Sequence, residues 1–338
     1  GGLAWLGGAL FVCLVAVAIR LPREAGEELR TPAPIERIQQ QSERVVTHQT
    51  AGADVPGFDA AFGVARGLAM LCHLAVCAGL VYIGCRHFRH GHMGMAAATF
   101  YLLLPYTAFD VGRWHHVWPM ALLVWAVALY RRPTLAGLLL GVASATVYFP
   151  VAAFPVWLSF YWRRGAGRFA AAFGLAAGVC LAAVALLLWT DDELARSVQA
   201  ALSLPDWQPW REPISGTQGL WRGIHWAYRM PVFIAYLAMV ATTAFWPSPK
   251  NLAHLIALTA ANIIGIQFWY AEQGGAHVLW YLPLLLLLVF RPNLSDRQPA
   301  AIVPETDWLT RALRALGRLA LRVLRPAPPQ PQPAARGR

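Results

Sequence analysis

The chain has 338 residues, 57% of them hydrophobic and only 13% charged, with a mean hydropathy of +0.45. Soluble domains carry about 25% charged residues, so this composition excludes a soluble globular protein and points to a polytopic membrane protein. The net charge of +11 does not signal nucleic acid, because much of the arginine lies in loops between apolar segments and in the C-terminal tail, where bilayer orientation and lipid headgroups account for it.

The predicted architecture is all-α, a bundle of about nine membrane segments over residues 1–291. Residues 2–19 cross outward; with no basic stretch ahead of them, they read as a spanning helix of a chain trimmed at its N-terminus. Residues 20–60 form a long outer loop in which Ile35, Ile38, Ser42, Val45 and Val46 recur at helical spacing. The next span, 67–85, returns inward to the loop "RHFRHGH", whose basic character places it in the cytoplasm. Residues 93–109 then cross outward to the turn "DVGRWHH", and 115–130 cross back to Arg131-Arg132. All five cysteines, Cys13, Cys72, Cys77, Cys85 and Cys180, lie in or beside apolar segments without zinc-ligand spacing, and read as small buried hydrophobes.

Two arginine pairs, Arg131-Arg132 and Arg163-Arg164, bracket the apolar stretch "PTLAGLLLGVASATVYFPVAAFPVWLSFYW". One crossing would put the pairs on opposite sides, against the positive-inside rule. The stretch is about 30 residues long, against about 20 for one spanning helix, and Pro150 and Pro155 interrupt its middle. The expectation is a broken hairpin of two half-helices that enters from the cytoplasm and returns, with its tip at Val147 to Pro155. Such backbone survives at membrane depth only against protein or a polar cavity.

After Arg168, residues 169–189 cross outward to a second outer loop, 190–229. That loop opens on Thr190-Asp191-Asp192-Glu193, a capping-box pattern. It also carries Trp207, Trp210, Trp221 and Trp226, which suit an interfacial belt or a platform for sugar rings. Spans over 231–247, 251–270 and 277–290 follow, leaving the C-terminus cytoplasmic. In the tail, 292–338, an amphipathic helix over 306–325 sets Arg311, Arg314, Arg318, Arg322 and Arg325 opposite Leu309, Leu313, Leu316 and Leu324. It is expected to lie on an anionic leaflet, ahead of a Pro-rich end.

The densest polar cluster at a membrane boundary is the outer turn with Asp110, Arg113, His115 and His116. The forked guanidinium of Arg113 suits a phosphate. Adjacent histidines diverge on a helix, and without a third ligand His115 and His116 do not define a metal site. Glu27 and Glu28 follow the first span, and Asp54 and Asp59 precede the second. Carboxylates at this level serve as a general base for an acceptor hydroxyl or hold a divalent metal ion. Gln218, Arg222 and His225 in the second outer loop are placed to reach a substrate headgroup. His73, inside an apolar span, reads as a satisfied core histidine.

The turn "GRWH", the hairpin "LAGLLLGVASATVYFP" with its closing arginine pair, the element "GTQGLWRG" and the segment "HVLWYLPLLLLL" together resemble the GT-C superfamily of integral-membrane glycosyltransferases. The branch they resemble is that of bacterial polyprenyl-phosphate-mannose-dependent mannosyltransferases, over about residues 60–290. Where that branch carries a hairpin lysine, a turn glutamine and a turn asparagine, this chain has Val147, Arg113 and His115. The resemblance implies a glycosyltransferase in the bacterial inner membrane, taking a sugar from a polyprenyl-phosphate donor to a glycan, lipid or protein hydroxyl on the outer face. Glu27, Glu28 or Asp110 would act as base, and Arg113 with Arg222 would hold the phosphate. No nucleotide partner is expected, because the cytoplasmic side lacks a Gly-rich phosphate loop. A transporter or flippase for a lipid-linked or small polar substrate is the rival reading, since broken helices also mark transporters; a degenerate GT-C relative acting as a scaffold is the third.

Overall fold

The computed structural model describes residues 1–20, 60–109, 114–162, 164–189, 209–210, 221, 223–270, 278–291 and 318. Two compact units divide the chain, Gly1–Ala300 and Ala301–Arg338. In the second unit only Arg318 is described, and it is helical; the rest of the expected tail helix over 306–325 lies outside the described residues.

The first unit is an all-α polytopic membrane bundle. Its helices are α1 (Gly2–Arg20), α2 (Ala60–Arg86), α3 (Gly91–Leu103), α4 (Pro105–Phe109), α5 (Trp114–Ala128), α6 (Pro133–Thr146) and α7 (Phe154–Phe160). Beyond the hairpin come α8 (Ala166–Trp189), α9 (Arg229–Phe245), α10 (Leu252–Trp269) and α11 (Leu282–Val289). Among the described residues five spans are long and apolar enough to cross a membrane: Gly2–Ile19, Arg66–Arg86, Ala166–Ala183, Trp226–Phe245 and Leu252–Trp269.

Two expected spans are broken. Residues 93–109 do not form one helix, because Pro105 forces Leu104 into an extended conformation (ψ 136°) that ends α3 and starts the short α4. Residues 277–290 begin as a 3-10 turn, Val278–Trp280, and continue as α11, which has eight residues. At 1.5 Å per residue that helix covers about 12 Å, far short of the roughly 30 Å of a hydrocarbon core.

The hairpin is present, and its break comes earlier than the prolines. Helix α6 ends at Thr146, Val147 turns extended (φ −142°, ψ 117°), and a 3-10 turn over Phe149–Ala153 leads into α7. Pro155 does not break the chain; it sits in the first turn of α7, where its missing N–H has no helical acceptor to satisfy. At the foot, Tyr161 OH donates to the Tyr130 carbonyl at 2.5 Å. A single crossing of that length would separate these residues by about 45 Å. Both arginine-bearing ends therefore meet at one end of the bundle. Cysteines placed there as Arg132→Cys and Arg164→Cys, in a chain stripped of the native five, are expected to react alike with an impermeant thiol reagent. Labelling of one without the other would mean that the stretch crosses once.

Three further contacts gather the neighbouring loops at this same end. His87 Nε2 donates to the Ala128 carbonyl at 2.6 Å. Lys250 Nζ reaches Ser159 Oγ at 2.8 Å, and His254, in the first turn of α10, lies within Coulombic reach of Lys250 and Arg291. Arg86, Arg89, Arg131, Arg132 and Arg164 share this cationic end with them. At the opposite end Arg66 donates to the Ile19 carbonyl at 3.0 Å, tying α2 to α1.

A polar seam fixes the hairpin to the bundle. Trp157 Nε1 donates to Thr259 Oγ1 at 3.1 Å, and Asn262 Nδ2 donates to the Ala152 carbonyl at 3.1 Å. Thr243 Oγ1 in turn donates to Asn262 Oδ1 at 3.2 Å. A broken helix leaves carbonyls that no water in the bilayer core can satisfy; Asn262 fills that role for the 3-10 turn. On its other side α6 lies backbone to backbone against α8. A Cβ on Gly137 would meet the Phe169 carbonyl oxygen, and one on Gly141 would lie 2.5 Å from the Phe173 carbonyl oxygen. This is the close approach that small residues four apart allow.

Candidate functional site

The end opposite the cationic loops is where the hairpin tip arrives. Phe149 stacks on Trp280 with ring centroids 4.0 Å apart and planes 8° from parallel. The 3-10 turn carrying Trp280 also packs on α5 and α4. Helix α4 ends just before residues 110–113, and α5 begins just after them. The tip, these two helix ends and the 3-10 turn before α11 thus converge on one region. Pro119 inside α5 supplies no amide to the His115 carbonyl, so the first turn of this helix departs from the regular ladder.

Two described fragments of the segment 190–229 attach at the same end. Trp221 is buried, and its Nε1 donates to the Phe268 carbonyl at 2.9 Å, near the end of α10. That bond makes Trp221 an anchor of the loop rather than a belt residue or a sugar platform; Trp210 remains exposed. Arg229, at the start of α9, is fully buried, and its Nε donates to the Pro209 carbonyl at 3.4 Å. Sequence reasoning did not single it out; it entered only as the last residue of the loop 190–229. The signal available was its position directly before an apolar span, where a long side chain either snorkels outward or folds back under a loop.

Glu27, Glu28, Asp110, Arg113, Gln218 and Arg222 lie outside the described residues. His115 and His116 occupy the first turn of α5, and their side chains are also outside them. His225 is described: its Nδ1 accepts the Ala227 amide at 3.3 Å, capping the 3-10 turn Trp226–Tyr228. His73 is a fully buried core histidine that shares a hydrogen bond of 2.8 Å with Tyr101 OH. Among the described residues no three His, Cys, Asp or Glu side chains gather to hold a metal ion.

The distribution of acid is lopsided. No aspartate or glutamate occurs among the described residues, so none lies in the described parts of the spans. Only Asp296, Glu305 and Asp307 follow the last helix; every other carboxylate belongs to the segments 21–59, 110–113, 190–220 and 271–277. Each of these segments joins helices at the end where the hairpin tip lies.

Residues 56–270 match glycosyltransferase family 87. The chain belongs to this family. As a family 87 member it is a membrane glycosyltransferase of the GT-C type. The matched stretch takes in the broken hairpin, Asp110, Arg113, His115, His116, Gln218 and Arg222, and it begins after Glu27 and Glu28. No curated protein and no solved structure matches the chain.

Proposed function

We propose that this family 87 glycosyltransferase takes a sugar from a polyprenyl-phosphate donor and transfers it to a hydroxyl of a glycan, lipid or protein at the outer face of a bacterial inner membrane. The observation that carries the reading is the separation of charge between the two ends. The short loops at the end that holds the hairpin feet, 86–92, 130–133, 162–168 and 246–251, carry basic residues and no carboxylate, and the positive-inside rule puts that end in the cytoplasm. The carboxylates, apart from the three in the tail, then belong to segments on the outer side. A base for an acceptor hydroxyl is available there and is absent from the described spans.

In this reading an outer carboxylate, Glu27, Glu28 or Asp110, takes the proton of the acceptor hydroxyl. The oxygen attacks the anomeric carbon of the donor, and the bond from that carbon to the phosphate oxygen breaks. Polyprenyl phosphate leaves with the electron pair, and Arg113, assisted by Arg222, holds its growing charge. His115, His116 and Gln218 line the approach of the sugar. A mannosyl donor is the form that the hairpin resemblance favours.

A proton-coupled transporter uses ionisable groups inside its spans, and the absence of carboxylates from the described spans speaks against that rival. The test is reconstitution in liposomes with a labelled polyprenyl-phosphate sugar and, separately, a labelled nucleotide sugar. Transfer to added acceptor from the first and not from the second is the expected result. Movement of intact donor between leaflets without release of polyprenyl phosphate would establish the transporter instead.

A further inference from the structure

The turn between α9 and α10, at the cationic end, holds a buried charge without a counter-ion of its own. Lys250 is the sole lysine of the chain and is 3% exposed. Its ammonium donates to Ser159 Oγ at 2.8 Å, the Ala244 carbonyl at 2.9 Å and the Pro247 carbonyl at 3.1 Å. All three donors are used, and all three acceptors are neutral. The hydrogen bonds satisfy the protons and leave the charge uncancelled, whereas buried charges are ordinarily paired.

The surroundings add to it. His254 accepts the Asn251 amide through Nδ1 at 3.4 Å and sits near both Lys250 and Arg291. Arg291 is exposed, just beyond α11. No carboxylate stands among the described residues. Directly beside this cluster, Phe245 is 81% and Trp246 73% exposed, two large aromatics at the end of α9. A cation cluster flanked by bare aromatic surface matches an amphiphile with an anionic head, because tryptophan settles at headgroup level and basic pockets between spans take phosphate headgroups. A soluble anion or a nucleic acid would have no use for the aromatic pair.

We propose that the α9–α10 turn, with Arg291, is a binding site for the phosphate headgroup of an anionic phospholipid, whose chains lie along Phe245 and Trp246. Burial pulls the Lys250 pKa below the ordinary lysine value, and a phosphate beside it acts in the opposite direction and restores the charged form. The site is distinct from the donor site, which belongs to the opposite end of the bundle.

The experiment titrates the detergent-purified full chain with phosphatidylglycerol, phosphatidylcholine and inorganic phosphate, reading retained lipid by native mass spectrometry. Phosphatidylglycerol should be retained and the other two should not. Arg291→Gln should weaken retention about fivefold, on about 1 kcal/mol per basic residue near an anionic surface, and Arg291→Glu about 25-fold. Arg291 is exposed, so both variants should elute as the wild type does. Arg86→Gln, a control at the same end, should retain lipid normally, and the cationic tail is common to all samples. Equal retention of phosphatidylcholine, displacement by inorganic phosphate at matched concentration, or unchanged retention in both Arg291 variants would each overturn the proposal.

Discussion

Arg113→Ala is expected to lower sugar transfer from a polyprenyl-phosphate donor by about two to three orders of magnitude, the range seen when a donor that stabilises transition-state charge is removed. The cation is needed most as the bond to the phosphate oxygen breaks, so the loss should fall on kcat rather than on KM alone. Arg113→Lys keeps the charge and loses the bidentate fork, and should recover part of the rate. Yield and elution volume should stay at wild-type values in both variants, because the turn carries no span. Wild-type turnover in Arg113→Ala would move the phosphate contact to another cation of the same end, with Arg222 and the buried Arg229 as the next to test.

Gly141→Leu is expected to abolish folding. Helix α6 has no room on that side: an added Cβ meets the Phe173 carbonyl oxygen at 2.5 Å and Ala176 Cβ at 2.9 Å. Backbone cannot rotate away as a side chain can, so the helices must separate. Overpacking in a well-packed core costs about 1–3 kcal/mol, and separation would also pull the hairpin from its partners on α10. Gly174→Leu on α8 is the matched control, since nothing lies within 4 Å of a Cβ there. Fluorescence-detected size exclusion of tagged chains should show aggregated Gly141→Leu and monodisperse Gly174→Leu. A monodisperse Gly141→Leu that retains activity would mean that the α6–α8 contact is looser than described.

The hairpin was legible from the two arginine pairs together with the length of the stretch and its prolines, because charge placement at a membrane is a strong constraint. Its details were not. The tip was expected over Val147 to Pro155, and the chain does turn there; the helix ends at Thr146, ahead of both prolines that were read as the breakers. Pro105 did break a span, and in an apolar run that signal was outweighed by hydropathy. The residues that hold the fold together, Asn262, Thr259 and Lys250, were not singled out. Their partners are a carbonyl or hydroxyl about a hundred residues away, and no local pattern encodes such a pairing. For the candidate site the sequence offers residue types in the segments between spans, most of them outside the described residues; it could not say which of those carboxylates meets which cation.

The seam between the hairpin and α10 also bears on how the chain is made. Ala152 finds its hydrogen-bond donor in Asn262, and Trp157 finds its acceptor in Thr259, 102 residues further on. A ribosome adds roughly 5–20 residues per second, so several seconds pass between the emergence of the hairpin and that of α10. During this interval the broken segment has no partner for its freed carbonyl, and it must wait in the translocon or at the bilayer surface. Assembly of this protein therefore runs out of sequence order: α8, α9 and α10 have to enter the bilayer before the hairpin that precedes them can settle.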